Sequence, residues 1–127
     1  MEQFGRIIQK GAAKGIALVS KTPVSFFGYI DPKTGVITEK GHELFGQSVT
    51  GKILVFPYGK GSTVGSYALY RMKKEGSAPI GIINAECEPI VAVGAIISNI
   101  PCVDKIDITK MSTGDTVKIN NDIVTIE

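Results

Sequence analysis

The sequence predicts a mixed α/β, β-rich fold. Short apolar, β-branched runs dominate the first half of the chain. A segment after a Gly-rich turn near the middle changes to helical character. The chain then closes with a strand, a second helix and a hairpin. Together these describe one strand-rich unit spanning residues 1–127, since a chain of 127 residues fits one domain and buries a core without staples.

Phe4–Lys10 reads as a first strand, and Lys14–Ser20 as a second with a continuous apolar centre. Val24–Ile30 is aromatic and β-branched and also favours strand. Asp31-Pro32-Lys33-Thr34-Gly35 is a turn, because Pro presets φ, Asp bonds the backbone and Gly accepts positive φ. Val36–Thr38 continues into a short strand. Lys52–Pro57 is an apolar run ended by Pro, as expected of a buried strand. A helix is expected from about Ser62 to Glu75, with Gly76 at its C-cap and basic residues in its last turn. Pro79–Asn84 is another buried strand. Pro89–Ser98 starts with Pro, which suits a helix, although its composition is β-branched; we expect a short helix, then a strand near Cys102. Thr116–Ile119 and Ile123–Ile126, joined through Asn120-Asn121-Asp122, form a hairpin.

Composition excludes several classes. The net charge of +2 is too small, and the lysines too dispersed, for nucleic acid or an acidic membrane to be the partner. No run of about 18 apolar residues exists to span a membrane. The N-terminus lacks the basic and apolar regions of a signal peptide, so a cytoplasmic location is expected. Cys87 and Cys102 form no CxxC pair and have no His cluster beside them; both are expected to be buried thiols. An iron–sulfur cluster takes about four thiolates, so this chain holds none alone.

The most unusual local feature is Tyr58-Gly-Lys-Gly-Ser-Thr-Val-Gly-Ser66. A buried strand ends, glycines and hydroxyl residues follow, and a helix begins. Free backbone N–H groups then lie at the positive end of a helix, where glycines let a ligand approach closely and Lys60 adds a positive charge. Such a turn suits a phosphate, a carboxylate or a developing oxyanion. Ser62 is equally a good N-cap, so a plain structural turn accounts for the same residues. The glycine spacing matches neither a Walker A loop nor a dinucleotide fingerprint. His42, the one histidine, offers an acid, a base or a phosphoryl carrier, but next to Glu43 in a polar turn it is expected to be an exposed side chain. Glu86, Cys87 and Glu88 are conceivable ligands that read better as an exposed turn before Pro89.

Several motifs, in order, carry a family resemblance. They are Ser25-Phe-Phe-Gly-Tyr-Ile-Asp-Pro-Lys-Thr-Gly35, His42-Glu-Leu-Phe-Gly-Gln-Ser48, Gly51-Lys-Ile-Leu-Val-Phe-Pro57 and Gly59-Lys-Gly-Ser-Thr63, then Ala78-Pro-Ile-Gly-Ile-Ile83, Val93-Gly-Ala-Ile-Ile97 and Ile100-Pro-Cys-Val103. Over nearly the whole chain these resemble the small subunit of the aconitase X family. The resemblance implies a swivelling β/β/α domain, as in the mobile domain of aconitases. It implies a heterodimer with a large aconitase X-type subunit that carries an iron–sulfur cluster, of the 4Fe–4S type, and most contacts to a small anionic substrate. It also implies an active-site serine, matched by Ser62, as proton acceptor, with no metal ligand in this chain. The implied reaction is dehydration of (R)-mevalonate 5-phosphate to trans-anhydromevalonate 5-phosphate, in the archaeal mevalonate pathway of isoprenoid biosynthesis. Backbone N–H groups of Gly61, Ser62 and Thr63 are expected to stabilise the serine alkoxide, and Gly61, Thr63 and Lys60 to contact substrate. Two alternatives stay open: a hydroxyproline dehydratase of the same family, and a non-catalytic swivelling domain that binds partners or carries a phosphoryl group on His42.

Overall fold

A computed structural model describes all residues 1–127. Eight strands form one sheet: β1 (Glu2–Phe4), β2 (Arg6–Gln9), β3 (Ala12–Val19), β4 (Ile53–Phe56), β5 (Gly81–Asn84), β6 (Cys102–Asp104), β7 (Thr116–Asn120) and β8 (Ile123–Ile126). Two helices, α1 (Gly65–Glu75) and α2 (Pro89–Ser98), follow β4 and β5. The strand order is β1-β8-β7-β3-β4-β5-β6-β2. The neighbours from β3 to β6 are parallel, and the remaining pairs antiparallel.

β4 is buried at all four positions. Its side chains alternate between two cores, as a strand's period of two requires. Leu54 and Phe56 join Leu18, Ile82, Leu69 and Val91 under the helices. Ile53 and Val55 join Ile83, Val103, Val117 and Val124 on the other face. The result is three layers: antiparallel strands, parallel strands, helices. This is the expected mixed α/β, β/β/α arrangement. The helices lie against each other where side chains are small: a Cβ on Gly94 would stand 3.3 Å from the Ser66 Cα, and Ser66 Oγ donates to the Ile90 carbonyl at 2.6 Å.

Both helices fall where expected, with a correction at the start of α1. α1 begins at Gly65, three residues after Ser62, and ends on Gly76 in the left-handed region, with Lys73 and Lys74 in its last turn. α2 starts with Pro89 in its first turn, as predicted. The short strands β4 and β5, the strand near Cys102 and the terminal hairpin are also where the sequence puts them.

Three strand expectations are corrected. The segment Phe4–Lys10 is not one strand. The chain breaks at Gly5, and β1 and β2 occupy opposite edges of the sheet. A Cβ at Gly5 would overlap the Asp104 carbonyl oxygen, so this crossing needs glycine. Because consecutive strands sit on the two edges, the sheet curls into a nearly closed barrel. Val24–Ile30 and Val36–Thr38 are not ladder strands; only isolated bridges form, Val24 with Gly59, Ile30 with Ile37 and Val36 with Ser48. Val24, Phe26, Ile30 and Ile37 spend their apolar side chains covering the helix-side core instead. Packing has overridden local β preference there. A short 3-10 turn, Ile108–Lys110, had no clear signal in the sequence.

The edge strand β2 is locked by one ion pair. Arg6 forks Asp104, with Nε to Oδ1 at 3.0 Å and Nη2 to Oδ2 at 2.7 Å, and the Cys87 N–H also donates to Oδ2 at 2.8 Å. Burial pushes the Asp104 pKa up, but the Arg6 guanidinium and the Cys87 N–H outweigh it and hold the carboxyl below its usual range. A depressed folded pKa means that this stabilisation is present above the unfolded value of about 3.9. It is lost as pH falls through the lower folded value. Asp104→Asn is therefore expected to lose about 1.5–3 kcal/mol at neutral pH, the worth of hydrogen bonds to a charged group. Denaturant unfolding at pH 7 and at pH 3 checks this, and the gap between variant and wild type narrows at the acid end.

Candidate functional site

β4 runs out at Phe56, and Pro57 cannot extend it. The chain turns at the carboxyl ends of the parallel strands, where open α/β sheets bind ligands. The first part of the turn is stitched to residue 24: the Val24 N–H donates to the Tyr58 carbonyl at 3.3 Å, and the Lys60 N–H to the Val24 carbonyl at 3.1 Å. Two glycines then pass through gaps without room for a side chain. A Cβ on Gly59 would lie 2.5 Å from Glu88 Oε1, and one on Gly61 would lie 2.6 Å from Ser25 Oγ. Gly61 also has φ +100°, a conformation that favours glycine.

Ser62 follows, exposed at the crest. It is not the N-cap of α1. That position is Val64, which offers no side-chain cap. Instead Ser62 Oγ accepts from the Val64 N–H at 3.1 Å, and the Ser62 carbonyl accepts from the Gly65 N–H at 2.8 Å. The donor that reaches Oγ is thus Val64 N–H, not the N–H groups of Gly61, Ser62 and Thr63. Those three donate to nothing within the chain. Three consecutive N–H groups without an acceptor, just before α1, offer donors to an anion. Lys60 does not point freely outward: its Nζ pairs with Glu39 Oε2 at 2.7 Å. The structure thus brings Lys60, Gly61, Ser62 and Thr63 onto one exposed turn.

α2 presents no comparable opening. Glu88 caps it, taking the Ile90 and Val91 N–H groups on its two oxygens at 2.8 Å each. Glu88 was expected in an exposed turn; it is half-buried, and only Glu86 is exposed. No signal short of knowing where α2 starts marks Glu88 as the residue packed beneath Gly59.

His42 is half-buried and not the exposed side chain expected. Its Nδ1 accepts from the Leu44 N–H at 3.0 Å, and its Nε2 lies 3.0 Å from the Pro23 carbonyl. Both ring nitrogens are engaged within the chain, which leaves neither for a phosphoryl group. Beside it, Glu43 gathers the Lys21 N–H, the Ser20 hydroxyl and the Thr22 N–H. Burial pushes the Glu43 pKa up, but these donors outweigh it and hold the carboxyl below its usual range.

Cys102 is fully buried, and Cys87 is only partly so, against the same core. A hydrogen bond with Cys87, together with burial, pushes the Cys102 thiol up. Two thiols do not supply the roughly four ligands of an iron–sulfur cluster. No group of three His, Cys, Asp or Glu side chains comes together to hold a metal. The residues of this chain do not fit such a cluster. No helix is long and apolar enough to cross a membrane.

The profile of the aconitase X swivel domain matches residues 3–127. The chain belongs to the aconitase X swivel-domain family. A Methanosarcina acetivorans protein named phosphomevalonate dehydratase small subunit is 56% identical over 119 residues, covering 91% of this chain and 83% of that protein. The crystal structure of Thermococcus kodakaraensis aconitase X in its holo-form superposes with a TM-score of 0.98 at 50% identity, covering 100% of this chain and 98% of that one. The solution NMR structure of a UPF0107 protein superposes with a TM-score of 0.91 at 45% identity, covering 100% and 99%. The swivelling fold implied by the sequence motifs is therefore the fold of this chain.

Gly61→Ala tests the geometry of the turn. The added methyl is strained by φ and meets Ser25, so a loss of about 1–3 kcal/mol is expected. The double variant Gly61→Ala, Ser25→Ala keeps the backbone strain but removes the contact. Thermal unfolding of the three chains is expected to rank the double variant between Gly61→Ala and wild type.

Proposed function

We propose that this chain is the small subunit of a two-chain hydro-lyase that dehydrates (R)-mevalonate 5-phosphate to trans-anhydromevalonate 5-phosphate, with Ser62 as proton acceptor. The supporting observation is the exposed Ser62 hydroxyl, held by a backbone N–H beside three unspent ones, in a chain 56% identical to a protein named for that reaction. That name favours a phosphorylated acid over hydroxyproline. Its word "small" implies a larger partner subunit. Residues 1–127 act as one swivelling domain upon that partner, in a heterodimer in the cytoplasm. The iron–sulfur cluster belongs to the larger subunit.

Elimination removes a proton from the carbon next to the substrate carboxylate. Ser62 Oγ, as alkoxide, takes that proton and becomes a hydroxyl. The C–H electron pair becomes the new C=C bond, and the tertiary hydroxyl leaves with its C–O pair. Ser62 then returns its proton to solvent, so the balance is loss of one water. A serine hydroxyl is a poor base in water, and its site must favour the charged form. Val64 N–H, which donates to Oγ, and the positive end of the α1 dipole do so. The N–H groups of Gly61, Ser62 and Thr63 hold an anionic group of the substrate, with Lys60 at the edge of the same turn.

Ser62→Ala removes an exposed hydroxyl and one local hydrogen bond, so stability is expected to stay within about 0.5 kcal/mol of wild type. Turnover is expected to fall by about 10²–10⁴, the usual loss for a general base. Anaerobic mixing with the larger subunit, followed by phosphorus NMR of mevalonate 5-phosphate, checks this. Normal turnover by a Ser62→Ala complex removes the serine from the mechanism.

A further inference from the structure

Beside the Ser62 turn lies a groove of about 460 Å³ between residues 26–32 and the outer face of α1. Phe26, Phe27, Ile30, Val64 and Tyr67 wall it. Of these, Phe27 is 51% exposed, Val64 43% and Tyr67 68%. Exposed aromatic side chains at a concave site are characteristic of protein interfaces. One cation stands on the wall, Arg71. The chain has two arginines. Arg6 forks Asp104, whereas Arg71 makes no hydrogen bond or ion pair with any group of the chain. The acid in the same groove, Asp31, is turned to its own loop and accepts from the Lys33 N–H at 2.8 Å.

We propose that this groove is the docking site of the larger subunit, which seats an apolar side chain between Phe27 and Tyr67 and pairs a carboxylate with Arg71. This rests on the reading above, in which a larger subunit closes over Ser62. Continuity with the turn identifies the occupant. Val64 is both a wall of the groove and the donor to Ser62 Oγ. The chain gathers no metal site and no second catalytic cluster at this turn, so the remaining reacting groups arrive across this surface. A partner that delivers them to Ser62 lies against Val64 and therefore over the groove. A guanidinium without an acid of its own selects a carboxylate, which it grips with fixed geometry.

The rival face is the outer side of α2, where Val93, Ile96 and Ile97 are exposed on a helix without a charged residue. The test compares the two faces. The dissociation constant for the larger subunit is measured anaerobically by calorimetry for wild type, Tyr67→Ser, Arg71→Glu, Arg71→Lys and Ile96→Lys, each first shown to be folded by circular dichroism. Both Tyr67→Ser and Arg71→Glu are expected to weaken association by at least about tenfold. Arg71→Lys recovers part of that loss, and Ile96→Lys binds as wild type does. Wild-type affinity in Tyr67→Ser and Arg71→Glu, or weakening confined to Ile96→Lys, overturns the proposal. So does an Arg71→Glu chain with unchanged subunit affinity and a raised KM, which assigns the groove to substrate. A wild-type chain that does not bind the larger subunit also overturns it. A wild-type complex that forms yet dehydrates nothing sinks the catalytic reading alone and leaves the ranking of faces intact.

Discussion

Four consecutive side chains, Ile53 to Phe56, must all be buried, and no single core can accept them. Adjacent residues of a strand point to opposite faces. One core therefore forms under the helices and another against the antiparallel strands. A strand buried on both faces also needs a strand on each side. β3 and β5 fill those places in parallel, with Leu18 opposite Leu54 and Val55 opposite Ile83. Parallel neighbours require crossovers, and α1 and α2 are the helical crossovers of β4–β5 and β5–β6. The layering, the two cores and the position of the turn after Pro57 all follow from that one buried strand.

The turn before α1 leaves three consecutive backbone N–H groups, those of Gly61, Ser62 and Thr63, without an acceptor. Of the two helix starts at the carboxyl ends of the parallel strands, α2 is capped by the Glu88 carboxylate, whereas α1 has no side-chain cap and its first N–H groups turn back to the carbonyls of Ser62, Thr63 and Val64. The same Glu88 fills the space beneath Gly59, while Ser25 fills the space beneath Gly61. One side chain thus caps α2 and packs beneath the turn that leads to α1. What remains exposed is Ser62, its Oγ aimed by Val64 N–H, and three N–H groups with no acceptor. The local geometry suits a charge that appears during reaction, because preorganised donors stabilise it without rearrangement.

Much of this was legible in the sequence, and the failures have physical causes. Gly59, Gly61 and the break after Pro57 signalled the turn, because glycine and proline act locally. Gly76 and Pro89 marked helix ends for the same reason. Phe4–Lys10 misread as one strand because the two halves pair with β8 and β6, partners about 100 residues or more away, a separation that no local pattern encodes. Val24–Ile30 misread because its apolar residues cover a helix-side core without joining a ladder. Ser62 was legible as part of the exposed Gly-rich turn but not in its true local form. The cap chemistry of Ser suggested an N-cap, whereas the helix starts three residues later. Glu88 was invisible, since its role depends on two segments meeting in space.

The most direct measurement of the central claim, that Ser62 removes the substrate proton, is isotope exchange. Mevalonate 5-phosphate deuterated at the carbon beside the carboxylate is incubated anaerobically with the two-chain enzyme in ordinary water and quenched before completion. Loss of deuterium from recovered substrate, together with formation of product, is read by mass spectrometry. Both are expected to fall by about 10²–10⁴ in Ser62→Ala relative to a wild-type complex at the same occupancy. Exchange at the wild-type rate in Ser62→Ala, with dehydration alone impaired, would contradict it and assign the proton to another group.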